Sequence, residues 1–149
     1  CWRLWPFSSQ LRILALKIAG PMASKLKGYF PGKQLKYFQD MPAGVVGEWS
    51  DWCNHANGLF DVFPDNNYRK LKVPLLALSF SDDWHAPPRA VKALLRHYSS
   101  AKQQWWHLTP EQCGVPEIGH DGFFTLACQH LWPKVLEWMS EAHLLIPSR

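Results

Sequence analysis

From Ser9 to Ala19 apolar and polar residues alternate at helical spacing, with Leu11, Leu14, Ala15 and Ile18 on one side. The pattern predicts an amphipathic helix, and Gly20-Pro21 predicts its end. The following stretch, GYFPGKQLKYFQDMP, is rich in glycine, proline and aromatic residues and predicts irregular chain. Pro42 then opens a second helix at a position where its missing N–H goes unneeded. In that helix Val45, Trp49, Trp52 and Cys53 recur at i, i+4, i+7 and i+8, a stripe that has to pack on something. Its end falls between Asn54 and Gly58.

From Leu71 onward the period changes. LKVPLLALSF is a continuous apolar run between polar brackets, which predicts a strand buried on both faces. SDDWHAPP predicts a loop, and Pro87-Pro88 lead into a helix whose buried face carries Val91, Leu94, Leu95 and Tyr98. KQQWWHL reads as a second buried strand. A loop runs from Thr109 to Gly122 before a last helix with Leu131, Val135, Trp138 and Met139, and with Pro133 in its first turn or at a kink. Strand, loop, helix, strand, loop, helix is the order of βαβ crossover units, so an α/β fold with parallel strands is expected. Residues 1–70 then form a mostly helical cap or insertion and residues 71–149 an α/β core. Two strands do not make a sheet that stands alone, and the chain opens on a cysteine without an initiator methionine. Neighbouring strands are therefore expected upstream of Cys1.

Composition narrows the function classes. The formal charge of +4 comes from scattered basic residues, the densest run being Arg69-Lys70-Leu71-Lys72. Nucleic-acid binding needs a concentrated basic stripe, so no nucleic-acid partner is expected. No run approaches the roughly 20 apolar residues that cross a bilayer. The best, LRILALKIAG, carries Arg12 and Lys17, and no secretory signal is present. Cys1, Cys53, Cys113 and Cys128 form no CxxC pair, which predicts free thiols in a reducing cytoplasm. Nine tryptophans predict large buried areas or an aromatic-lined pocket.

In an open parallel sheet, functional groups gather beyond the carboxyl ends of the strands. Asp82 and Asp83 follow the first strand, and His120 closes the loop after the second, in PEIGHDGFF. A carboxylate can orient an imidazole and stabilise its protonated form, which prepares a general base. Plainer roles exist for each: His120 as a turn residue, Asp83 as an Asx-turn or cap before Pro87-Pro88, Asp82 as an acceptor for loop amides. The glycines around His120, the helix after it and the matching acid favour catalysis. Phe123 and Phe124 would pack beneath the loop and fix the ring. His55, His85 and His107 have no helical-pair or compact ligand spacing, so no metal site is expected. His107, within a strand, reads as structural.

VPLLALSFSDDWHAPPRAVKALL followed by IGHDGFF resembles the C-terminal portion of α/β-hydrolases. The closer likeness is to a bacterial group of predicted hydrolases related to serine aminopeptidases and lysophospholipases. GYFPGKQL and GEWSDWC are similar to that group's cap region, so the resemblance covers nearly the whole chain. It implies Asp83 as the triad acid, four residues before Pro87, with Asp82 the second choice, and His120 as the base. The hydrolase chemistry it implies requires no cofactor. Many members carry glycine three residues before the acid, where this chain has Phe80. The family's nucleophile sits in a G-x-S-x-G elbow, and no such motif occurs in these 149 residues. The expectation is thus a serine hydrolase segment for an ester or amide substrate, possibly a hydrophobic small molecule, holding acid and base without nucleophile and inactive alone. The alternative is a non-catalytic fragment or interaction protein of the same fold.

Overall fold

A computed structural model of the chain describes residues 4, 6–34 and 39–144. Residues 35–38 of the expected irregular stretch lie outside the described residues, as do Cys1 and the side chain of Ala15. The chain divides into two compact units, Cys1–Asn66 and Asn67–Arg149.

In the first unit, helix α1 spans Phe7–Lys27 and passes through Pro21. The expected stop at Gly20-Pro21 is therefore corrected. A proline removes one helical N–H, but tertiary packing can carry a helix across that gap. The terminator is Gly28, at φ 76°, whose N–H donates to the Ser24 carbonyl at 2.8 Å. Glycine takes this left-handed position without the Cβ clash other residues suffer. Gly20 serves packing instead, since a Cβ there would lie 3.1 Å from Cγ1 of Val46. Strands β1 (Tyr29–Phe30) and β2 (Met41–Pro42) pair antiparallel, and helix α2 (Ala43–Trp52) follows Pro42 directly. Phe30, Val46 and Cys53 are buried and Trp49 and Trp52 half-buried, whereas Val45 is exposed. Val46 thus takes the inward position expected of Val45. A short helix α3, Leu59–Val62, closes this unit. Leu11, Leu14 and Ile18 do share one side of α1, and in this unit that side is exposed together with Phe7, Met22 and Leu26.

The second unit is α/β. Strand β3 spans Pro74–Phe80, helix α4 Pro88–Leu95, strand β4 Lys102–Leu108 and helix α5 Trp132–Leu144. Pro88 occupies the first turn of α4, where its lost N–H has no helical acceptor in any case. The strands pair in parallel with an unbroken register from Pro74↔Lys102 to Phe80↔Leu108. Burial departs from expectation. β3 is half-buried until Ser79 and Phe80, and most of β4 is exposed. Among the described residues each strand has only the other as neighbour, so neither is covered on all sides. Leu94 is likewise exposed, leaving Leu95 as the buried residue of α4.

One polar feature lies inside this sheet. Ser79, 2% exposed, accepts the Trp105 indole N–H at 2.8 Å, and its hydroxyl lies 2.9 Å from Nδ1 of His107. His107 is thereby a cross-strand structural partner. Below the carboxyl ends of the strands, Phe80, Cys113, Ile118, Phe123 and Cys128 form the core, flanked by Leu78, Leu108, Trp132 and Val135. Cys53, Cys113 and Cys128 are free and buried. No helix among the described residues is long and apolar enough to cross a membrane.

Candidate active site

Phe80 and Leu108 are register partners, so the loops after β3 and β4 leave the same end of the sheet side by side. The Ser81 N–H still donates to the Leu108 carbonyl at 2.9 Å, extending the ladder one residue into the first loop. The Asp83 N–H then turns back onto the Phe80 carbonyl at 3.2 Å. This tight turn lifts both carboxylates to the end of the sheet. Phe80 is the last residue of β3 and is buried in the core.

Asp83 does two jobs at once. Its Oδ1 accepts the backbone N–H groups of His85 and Ala86 at 2.8 and 3.1 Å, which closes an Asx-type turn ahead of Pro87. Its Oδ2 lies 2.9 Å from Nδ1 of His120. The two roles weighed for Asp83 from sequence are compatible because each uses a different oxygen. Asp83 is buried at 7% exposure, while the His120 side chain is 48% exposed. A buried carboxylate therefore grips an imidazole whose other nitrogen, Nε2, is not engaged by it.

Asp82 holds the histidine loop. Its Oδ2 accepts the amides of Ile118 and Gly119 at 2.8 and 2.9 Å, bridging from the acid loop to the two residues before His120. Burial pushes the Asp82 carboxyl up, and those two amides outweigh it, so the group ionises below its ordinary value. The loop is shaped for this. Gly119 sits at φ 61°, and the Gly122 N–H donates to the Ile118 carbonyl at 2.9 Å. Ile118 is buried in the core, which anchors the same strand of loop from below.

Phe123 stacks on Phe80 with centroids 5.9 Å apart, and its carbonyl accepts the Trp132 indole N–H at 2.7 Å. Phe124 meets the Phe123 ring edge-on at 5.3 Å but lies outside the core. It is 78% exposed, because the 3-10 turn Gly122–Phe124 points consecutive side chains in different directions and only one faces the core.

Sequence spacing missed His85 as a neighbour of the pair. Its ring lies over Trp84 at 3.6 Å and beside His120 at 4.9 Å, with Nδ1 3.9 Å from Oδ1 of Asp83. Burial pushes its imidazole below the ordinary value, and neighbouring His120 adds to that. The available signal was the Asx turn: a residue two positions after the turn aspartate is drawn to the same carboxylate. Asp83, His85 and His120 each offer a ligand-type atom, all within 4.8 Å of one another. His55 lies in the first unit, 3.9 Å from Asp51. No family model, curated protein or solved structure matches the chain.

Proposed function

We propose that this chain is the acid-and-base segment of an α/β-class serine hydrolase acting on an ester or amide bond. The observation that supports it most is the 2.9 Å contact between Nδ1 of half-exposed His120 and Oδ2 of buried Asp83. Asp83 fixes the tautomer with the proton on Nδ1, which leaves Nε2 basic. Nε2 takes the proton of a serine hydroxyl as its oxygen attacks the substrate carbonyl. It returns that proton to the leaving alcohol or amine, then draws one from water as the water oxygen attacks the acyl carbonyl and passes it to the serine oxygen as the acyl–serine bond breaks. Asp83 stabilises the imidazolium at each stage, and the chemistry uses no cofactor.

The serine comes from a G-x-S-x-G elbow outside these 149 residues. Ser24 and Ser79 are both buried and follow no such pattern. The nine tryptophans of the sequence favour a hydrophobic acyl or aromatic substrate. The free, buried thiols of Cys53, Cys113 and Cys128 favour a reducing compartment such as the cytoplasm.

A fluorophosphonate probe tests the reading on the protein that carries such a serine ahead of this segment. The parent should label, and its His120→Ala variant should lose at least about a hundredfold in labelling rate, the scale of general-base assistance. Equal labelling of both would remove His120 from the mechanism. An unlabelled parent would favour the non-catalytic reading.

A further inference from the structure

We propose that Asp83, His85 and His120 form a three-ligand site for a borderline transition-metal dication of the zinc type. One ligand-type atom from each residue lies within 4.8 Å of the other two. The Asp83 carboxylate is 2.9 Å from Nδ1 of His120 through one oxygen and 3.9 Å from Nδ1 of His85 through the other. Tetrahedral zinc with bonds of about 2.0–2.1 Å separates its ligand atoms by roughly 3.3–3.4 Å. The Asp83–His120 separation falls below that value and the others in the cluster extend to within 4.8 Å, so side-chain rotation must draw the two imidazoles together for one ion to meet all three residues.

Two features of the surroundings act in the same direction. The amides of His85 and Ala86 fix the carboxylate, the outer-shell support that metal-binding carboxylates need. Trp84, 3.6 Å from the His85 ring, backs that imidazole against the site. Two nitrogens and one carboxylate suit zinc, copper or nickel, whereas calcium and magnesium call for oxygen ligands throughout. His120 is half-exposed, which gives the ion an entry path and leaves room for water as the fourth ligand.

Binding has a balanced cost. A metal on Nδ1 of His120 takes the place of the 2.9 Å contact with Oδ2 of Asp83, and any proton held there goes to solvent. The ion therefore replaces the hydrogen bond that prepares His120 as a base. Metal occupancy and acid–base work exclude one another, a consequence that rests on the hydrolase reading while the binding itself does not.

The test is zinc titration of the chelator-stripped 149-residue chain against a chromophoric competitor, with circular dichroism of every variant. One zinc per chain is expected, weakened about tenfold or more in His85→Ala and in His120→Ala and unchanged in His55→Ala. Cobalt substituted for zinc should give a spectrum without a thiolate charge-transfer band. Unaltered binding in a folded His85→Ala variant, a thiolate band, or no zinc binding by the parent chain would each overturn the proposal. Because no nucleophile is involved, this outcome is separate from fluorophosphonate labelling.

Discussion

Replacing Asp82 by alanine removes the clamp that ties the acid loop to the two residues before His120. The carboxylate accepts the Ile118 and Gly119 amides at 2.8 and 2.9 Å. Hydrogen bonds to a charged partner contribute about 1.5–3 kcal/mol each. Water can satisfy the Gly119 amide after the change, because that residue is only half-buried. Ile118 is 4% exposed, so its amide stays orphaned and keeps its desolvation penalty. The summed loss is about 3–4 kcal/mol, a large fraction of the 5–15 kcal/mol that holds an ordinary domain. Asp82→Asn keeps one acceptor oxygen without the charge and should lose about half as much.

Urea unfolding of the three chains reads these differences, and amide hydrogen exchange at Ile118 and Gly119 localises them. The pH dependence has a definite sign. The folded-state pKa of Asp82 lies below its ordinary value, so its contribution is present above the unfolded carboxylate value near 3.9 and is lost as pH falls through the lower folded value. The stability gap between the parent chain and Asp82→Ala should therefore close in that acid window and stay constant from about pH 5 upward. A loss under about 0.5 kcal/mol at neutral pH, with unaltered exchange at both amides, would refute the clamp.

Two further substitutions probe the base of the site. Phe123→Ala empties a buried position that stacks on Phe80 and should cost about 3 kcal/mol, whereas exposed Phe124→Ala should stay within about 0.5 kcal/mol; paired urea melts decide. Gly119→Ala meets only Glu117 Oε1, at 3.9 Å, so space is available and the φ of 61° alone should cost about 1–2 kcal/mol. Equal melts for Gly119→Ala and the parent chain would refute the strain.

What could be read from the sequence depended on how local its cause was. The β3–α4–β4–α5 order follows from periods of apolar residues and from Pro87-Pro88, all of which act within a few positions. The meeting of Asp83 with His120 was legible because parallel strands deliver their loops to one end. Partner-dependent features were not. Pro21 ends an isolated helix, but α1 continues past it, with Gly20 against Val46 in close contact. The inward turn of Val46 in place of Val45, and the exposure of Leu94, shift a stripe by one position, which composition does not resolve. β4 has Lys102, Gln103, Gln104 and His107 among its seven residues, a polar content that its exposure matches and that the expectation of a buried strand set aside. His85 was passed over because the rule applied to it concerned ligand spacing, while its place is set by the turn around Asp83.

The hydroxyl of Ser79 acts as a ruler for the whole site. The smallest slip that keeps each side chain of β4 on its own face is two residues, roughly 6–7 Å along the strand. Such a slip takes at least one of Trp105 and His107 out of reach of Ser79, which loses a hydrogen bond of about 0.5–1.5 kcal/mol. An all-apolar interface would tolerate the displaced alignment better. The loop that bears His120 begins where β4 ends, so the same slip would carry it past Asp83 by more than the reach of a hydrogen bond. A single buried polar atom between two strands thus disfavours the misaligned sheets in which acid and base could never meet.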